Sequence, residues 1–130
     1  MDYSKINVLI IDDDSTTRRI VTRLIKQIGF VNFSEAVDGE QAYKMMQEEK
    51  FDLILSDWDM PVMNGYTLLE KVRADSNYKK TPFIMVTAND NKESIIEAVK
   101  AKVSQYIVKP FTVTALKEKI EKVLSAAKNT

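Results

Sequence analysis

The sequence has 130 residues, with 19 Lys and Arg, 19 Asp and Glu, and a formal net charge of zero. This length predicts a single domain over residues 1–130, and the neutral balance argues against nucleic acid or membranes as general electrostatic partners. The chain has no cysteine and no histidine, which excludes disulfides, thiolate chemistry, imidazole bases and histidine zinc sites.

Short apolar runs alternate with amphipathic segments along the chain. The first run, residues 6–11, reads INVLII, and the helical pattern after it is expected to end at Gly29. Further strands are expected over 31–36, 51–56, 82–87 and 105–108, and further helices around 42–46, 68–72, 95–99 and 113–127. Five strands alternating with five helices predict an α/β fold with a doubly wound parallel sheet. Since no run could span a membrane, a soluble cytoplasmic protein without membrane insertion is expected.

Polar residues follow the predicted strands, where the carboxyl ends of a parallel sheet gather functional groups. They are Asp12, Asp13 and Asp14 after the first strand, Asp57 and Asp59 after the third, Thr87 after the fourth and Lys109 after the fifth. Crowded carboxylates repel one another unless a cation intervenes, and Mg²⁺ suits a few carboxylates with waters and a phosphate. Acids, a metal, a lysine and a hydroxyl without His or Cys fit phosphoryl chemistry with an aspartate nucleophile.

Each of these residues also has a local interpretation. Asp12–Asp14 could precede and cap the first helix, with Ser15 as the N-cap. Thr87 could cap a helix, and Lys109 could be an ordinary solvated lysine. The functional interpretation is favoured because four strand ends each supply a residue type that the same chemistry needs.

The order and spacing of these motifs resemble the receiver domains of two-component response regulators over essentially the whole chain. The matching residues are Asp12-Asp13, Asp57, Met60-Pro61, Gly65, Thr87-Ala88 and Lys109-Pro110-Phe111. The segments Arg18–Val21, Asp57-Trp58, Tyr106 and Val108–Thr112 make the chain most similar to stand-alone chemotaxis receivers. The resemblance implies a flavodoxin-like (βα)5 domain with strand order 2-1-3-4-5 and no attached output domain.

The resemblance also implies roles at the matching positions. Asp57 would be the phosphoacceptor, taking its phosphoryl group from a CheA-like histidine kinase. One Mg²⁺ would be bound by Asp13, Asp57 and the backbone carbonyl of Asp59, with Asp12 acting mainly through water. Lys109 and Thr87 would contact phosphoryl oxygens. The Lys109–Pro110 peptide is expected to be cis.

The implied output is a surface change that a partner reads. Tyr106 would turn inward as Thr87 moves, and the output face is expected to comprise Lys92, Ile95, Val99, Tyr106 and Lys119. The expected partner is the flagellar motor switch, and a phosphatase is a further candidate partner. A monomer is expected that catalyses only its own phosphorylation and dephosphorylation. The alternative output is that of a phosphorelay intermediate or a phosphate sink.

Several positions depart from the family pattern. Asp59 stands where chemotaxis relatives often have Asn, and Asn89 stands where the best-known relatives have an acid; both are expected to tune the dephosphorylation rate. Asp14 adds another acid near the site. Lys102-Val103 replaces a small Gly-Ala pair and puts the partner surface there in doubt.

An enzyme is the alternative from a different functional class. Asp57 and Asp59 resemble the nucleophile and general acid of haloacid-dehalogenase-type phosphatases. That superfamily places its acidic metal pair after the nucleophile, whereas Asp12-Asp13 precede Asp57. The order of the motifs therefore favours the receiver.

Overall fold

The computed structural model describes residues 2–88 and 91–128. Within them a short 3-10 turn, Tyr3–Lys5, precedes five strands and five α-helices that alternate along the chain. The strands are β1 Asn7–Ile11, β2 Asn32–Ala36, β3 Leu53–Ser56, β4 Phe83–Thr87 and β5 Gln105–Val108. The helices are α1 Ser15–Ile28, α2 Gly39–Glu48, α3 Gly65–Ala74, α4 Lys92–Lys100 and α5 Val113–Lys128.

The strands form one parallel sheet in the order β2-β1-β3-β4-β5. Strand β1 pairs with both β2 and β3, so Ile11 lies opposite Ala36 on one side and Ser56 on the other. The winding direction reverses between β1 and β3, and ligands bind such sheets beyond the carboxyl ends of the strands at this point. The predicted doubly wound fold and its strand order are confirmed.

Helices cover both faces of the sheet, which explains why the central strands are apolar along their whole length. Successive side chains of β1 alternate between the two faces. Leu9 and Ile11 contribute to a core shared with α2, α3 and α4, whereas Val8 and Ile10 contribute to a core shared with α1 and α5. Among the described helices, none combines the length and apolar character needed to cross a membrane.

The element boundaries differ from the sequence expectation in small ways. The N-cap of α1 is Asp14 and not Ser15: the Asp14 carboxylate accepts a hydrogen bond from the Thr16 N–H at 3.2 Å. An aspartate there also places negative charge at the positive end of the helix dipole. Strand β4 begins after Pro82, which has no N–H to donate to the ladder. Gly29 ends α1 as predicted, with φ of 128°.

Candidate functional site

The sheet ladder brings the first and third strand ends side by side. The Asp12 N–H donates to the Ala36 carbonyl at 3.2 Å, and the Asp57 N–H donates to the Ile11 carbonyl at 2.9 Å. Asp12 and Asp57 each extend a ladder by one residue beyond its strand. Their side chains are therefore positioned by the backbone of two central strands.

Three carboxylates meet at this point. Asp12, Asp13 and Asp57 each offer an oxygen, and these oxygens lie within 4.8 Å of one another. The Asp12 and Asp57 side chains are only 4% and 13% exposed, whereas Asp13 is exposed. The group is therefore buried on the side of the sheet and open on the side of Asp13.

Lys109 supplies the positive charge nearest to this group. Its Nζ donates to Asp12 Oδ2 at 2.9 Å and lies 3.7 Å from Asp57 Oδ2. The Lys109 N–H donates to the Thr87 carbonyl at 2.8 Å, which joins the ends of β4 and β5. The peptide between Lys109 and Pro110 is cis, as the resemblance implied. All four strand ends singled out in the sequence therefore contribute to one site.

The Asp57 carboxyl group titrates above its ordinary range. Burial is the main cause that raises its pKa, and the charge of Asp12 raises it further. The ammonium of Lys109, the Trp58 N–H and the Thr87 hydroxyl lower the pKa in part. The Trp58 N–H donates to Asp57 Oδ1 at 2.8 Å and so orients the carboxylate. At Asp57, burial and the neighbouring Asp12 carboxylate therefore outweigh the Lys109 ammonium and the two hydrogen bonds.

The loop that follows Asp57 packs closely against the site. Gly65, the first residue of α3, leaves no space for a side chain, because a Cβ there would overlap the backbone carbonyl of Asp57. Its N–H donates to the Trp58 carbonyl at 2.8 Å. Val62 has φ of 67° and is 76% exposed, an unfavourable backbone conformation for a β-branched residue. Strain is thus held in the loop beside Asp57.

Arg18 supports the site from behind, a role that the sequence reasoning missed. Its Nη1 donates to the backbone carbonyl of Asp12 at 2.7 Å, and its Nε donates to Glu35 at 2.9 Å. Arg18 therefore fixes the peptide that joins Asp12 to Asp13. Its place one turn into α1, in a segment that carries the family resemblance, is the sequence signal that could have indicated this contact.

Two of the predicted acids lie outside the carboxylate group in the described part of the chain. Asp14 caps α1 and also accepts a hydrogen bond from the Thr17 hydroxyl at 2.6 Å. This bond is the main cause that lowers the pKa of Asp14. The Asp59 side chain is exposed. Asn89, expected to tune the dephosphorylation rate, lies outside the described residues.

The predicted output residues occupy the edge of the sheet formed by β5 and its flanking helices. Lys92 and Val99 are exposed on α4, and Ile95 beside them is half-buried. Tyr106 lies opposite Met85 in the β4–β5 ladder. On α5, the Lys119 Nζ donates to the Gln105 side chain at 3.3 Å.

Residues 8–121 match the family described as the response regulator receiver domain. The chain belongs to this family. The receiver is 50% identical over 116 residues to the chemotaxis protein CheY of Pseudomonas aeruginosa, covering 89% of this chain and 94% of that protein. It is 49% identical over 116 residues to the chemotaxis protein CheY-3 of Vibrio cholerae, covering 89% of each. The predicted family and the predicted similarity to chemotaxis receivers are thereby confirmed.

Solved structures support the same assignment. The receiver is 33% identical to the chemotaxis protein CheY4 of Vibrio cholerae, with a TM-score of 0.84, covering 91% of this chain and 98% of that one. It also matches a CheY-like response regulator receiver domain protein of Methanospirillum hungatei, with 28% identity and a TM-score of 0.87. That match covers 97% of this chain and 98% of the other. The fold of this receiver is therefore that of CheY-like proteins.

The donor set fits a divalent cation. Three carboxylate oxygens lie within 4.8 Å of one another, and one lysine is shared between two of the acids. Hard oxygen donors of this kind suit Mg²⁺. The acidic group thus fits magnesium binding in a receiver.

Proposed function

We propose that this receiver is a phosphoacceptor switch in which Asp57 takes a phosphoryl group from a histidine kinase. The observation that carries the proposal is the position of Asp57, held between a carboxylate pair and the Lys109 ammonium at the switch point of the sheet. The sequence contains no histidine, so a phosphohistidine donor has to come from outside these residues.

The proposed transfer is a nucleophilic substitution at phosphorus. An Asp57 carboxylate oxygen attacks the phosphorus of the phosphoimidazole, and a P–O bond forms as the P–N bond breaks. The electron pair of the broken bond stays on the imidazole nitrogen, which then takes up a proton. The Trp58 N–H holds Asp57 Oδ1 at 2.8 Å and so fixes the direction of attack.

The other residues of the site would neutralise the phosphoryl charge. Asp12, Asp13, Asp57 and the backbone carbonyl of Asp59 would hold Mg²⁺. When bound, the ion supplies positive charge to the transferring phosphoryl oxygens. The Lys109 ammonium and the Thr87 hydroxyl would bind further phosphoryl oxygens, because both already lie beside Asp57.

A test of the phosphoacceptor uses Mg²⁺ and a small acyl phosphate, with intact-mass measurement. We expect the protein to gain one phosphoryl group and Asp57→Asn to gain none. Asp59→Asn is the matched control and should still be labelled, because the Asp59 side chain is exposed and outside the carboxylate group. Labelling of Asp57→Asn would contradict the assignment. Multiple-turnover hydrolysis of a phosphate ester that requires Asp59 would favour the phosphatase.

We further propose that the phosphorylated form binds the flagellar motor switch through the face of α4, β5 and α5. The relatives named chemotaxis proteins and the exposed Val99 and Lys92 on α4 support this output. An acyl-phosphate mimic should tighten binding of a motor-switch peptide in calorimetric titration. Tyr106→Ala and Lys119→Glu should weaken that binding, and unchanged affinity in both would contradict the face. Return of the phosphoryl group to a histidine protein without any effect on the peptide would indicate a phosphorelay intermediate.

A further inference from the structure

The end of the sheet opposite Asp57 carries a concentration of positive charge. Two adjoining open cavities, with volumes of about 700 and 420 Å³, lie at the amino ends of β4 and β5. Arg73, Lys79, Lys80 and Lys102 line both of them. The basal groove, as we call this continuous surface, is defined by Arg73, Lys79, Lys80, Lys100, Lys102 and Lys122.

Among the described residues, no ion pair neutralises the lysines of the basal groove. In the described part of the chain, the ion pairs join Arg18 to Glu35 and Lys109 to Asp12 and Asp57. Among the described lining residues Glu70, at the α3 end, is the single acid of the groove, and Asp2 and Asp52 line a neighbouring cavity that shares Lys79 and Lys80 with it. The charge is therefore available to a ligand.

The guanidinium of Arg73 is used to hold the groove together and is not free to bind an anion. It donates to the backbone carbonyls of Lys102 at 2.8 Å, Thr81 at 2.7 Å and Lys79 at 3.3 Å, and to Ser104 Oγ at 3.2 Å. These bonds tie together the two loops that carry the lysines. A ligand would meet a preorganised wall, which lowers the ordering cost of binding.

Lys102 stands in the groove in an unfavourable backbone conformation. It has φ of 66° just beyond α4, a conformation that favours glycine. A glycine at this position would relieve the strain but would remove one of the lysines of the groove. Backbone strain of this kind often accompanies a functional surface.

The lining favours a peptide over other polyanions. Pro82 and Val123 form an apolar floor, and Gln105 adds a polar side chain beside it. Base stacking would need aromatic rings, but among the described lining residues Tyr66 is the only aromatic one, and its ring is stacked on that of Trp58 with the centroids 5.4 Å apart. A membrane-binding surface would need large exposed apolar side chains. Among the described residues these lie outside the groove: Ile20, Val31, Val37, Val62, Ile96 and Val99.

We propose that the basal groove binds an acidic, extended segment of a partner protein, with its carboxylates on the lysines and small apolar side chains on the floor. This surface adjoins the proposed output face, because Lys119 of that face donates to Gln105 of the groove, but its lysines at positions 79, 80 and 102 lie outside that face. Because it lies at the opposite end of the sheet from Asp57, a partner bound there would leave the phosphorylation site open.

The test uses a fluorescent peptide that alternates glutamate with alanine, titrated by anisotropy at low and at physiological salt. We expect saturable binding that weakens with salt, and amide shifts in NMR spectra at Ser104 and Gln105. The double variant Lys79→Glu/Lys80→Glu should bind about tenfold more weakly, because its reversed charges repel the peptide. Lys44→Glu/Lys117→Glu, at exposed positions outside the groove, is the matched control and should bind like the parent.

Circular dichroism of both double variants shows whether each remains folded. Asp57→Asn should bind the peptide with the same affinity as the parent, because the groove lies at the other end of the sheet. Equal binding by the two double variants, or equal binding of a glutamine-for-glutamate peptide, would overturn the proposal. So would tighter, Lys79- and Lys80-dependent binding of single-stranded DNA or phosphatidylserine vesicles. Concentration-dependent self-association lost in Lys79→Glu/Lys80→Glu would instead identify a second copy of this chain as the occupant.

Discussion

The carboxylate of Asp57 is 13% exposed and lies beside two further acids with one shared lysine. Its folded-state pKa is raised above the ordinary value of 3.8, chiefly by burial. The charged form therefore destabilises the folded protein at neutral pH, and this penalty disappears as the pH falls through the raised pKa. The residue that the proposed function needs thus lowers stability.

We expect Asp57→Asn to raise the free energy of unfolding at pH 7 by about 1 kcal/mol, since the amide removes the buried charge and can still accept the Trp58 N–H. The gain should shrink as the pH falls through the raised folded-state pKa, where the parent carboxyl also becomes neutral. Urea unfolding without Mg²⁺ measures both values. Asp59→Asn, at an exposed position, should change stability little. If Asp57→Asn were less stable than the parent at pH 7, the charge of the Asp57 carboxylate would already be compensated by its neighbours in the folded protein.

Arg18 acts on the same site through the backbone. Its 2.7 Å hydrogen bond to the Asp12 carbonyl fixes the peptide leading to Asp13. Residues that hydrogen-bond to metal-binding groups commonly affect the affinity for the metal, so Arg18→Gln should weaken Mg²⁺ binding by about tenfold. Fluorescence of Trp58, the single tryptophan, reports the titration. The control Arg19→Gln, exposed on the same helix, should bind as the parent does, and equal affinity in both variants would assign Arg18 no part in the site.

At the scale of elements, the end of α4 holds an unfavourable conformation. The Lys102 N–H donates to the Val99 carbonyl at 3.0 Å while its φ is 66°. Lys102→Gly should therefore raise the free energy of unfolding by about 1 kcal/mol. Lys100→Gly, two residues earlier in the last turn of α4, should lower it by a similar amount, because glycine disfavours a helix interior. Thermal unfolding compares the two, and a loss of stability in both variants would contradict the strain at Lys102.

The elements and the main site were predictable from the sequence for one physical reason. Buried parallel strands are apolar on both faces, so each strand end is visible where the polar residues begin, as at Asp12 and Asp57. The supporting contacts were not predictable. Arg73 reaches carbonyls at Thr81 and Lys102, and these pairings depend on how α3 packs beside two distant loops. The same limit explains the cap of α1, where adjacent Asp14 and Ser15 are both suitable N-cap residues.

At the scale of the whole molecule, zero net charge conceals two ends of opposite sign. The first half of the sequence carries 12 acids against 7 bases, and the second half carries the reverse. The fold places much of this acidic excess beyond the carboxyl ends of β1 and β3. It places much of the basic excess at the amino ends of β4 and β5, in the basal groove. A neutral protein can thus present separate surfaces to a cation and to an acidic partner.

Because the acidic site is built on β1 and β3, the buried centre of the sheet, its occupancy should stabilise the entire domain. A ligand that binds only the folded state at 100 times its dissociation constant contributes about 2.7 kcal/mol. We expect Mg²⁺ to raise the urea midpoint accordingly, and its removal by a chelator to reverse the effect. Asp13→Asn should abolish this response, since Asp13 is an exposed donor of the site with little part in the core. Sodium chloride at the same ionic strength is the control for general screening of the charges at the acidic end. If the urea midpoint rose equally with either salt, or rose equally in Asp13→Asn, the stabilisation would come from charge screening and not from coordination of Mg²⁺.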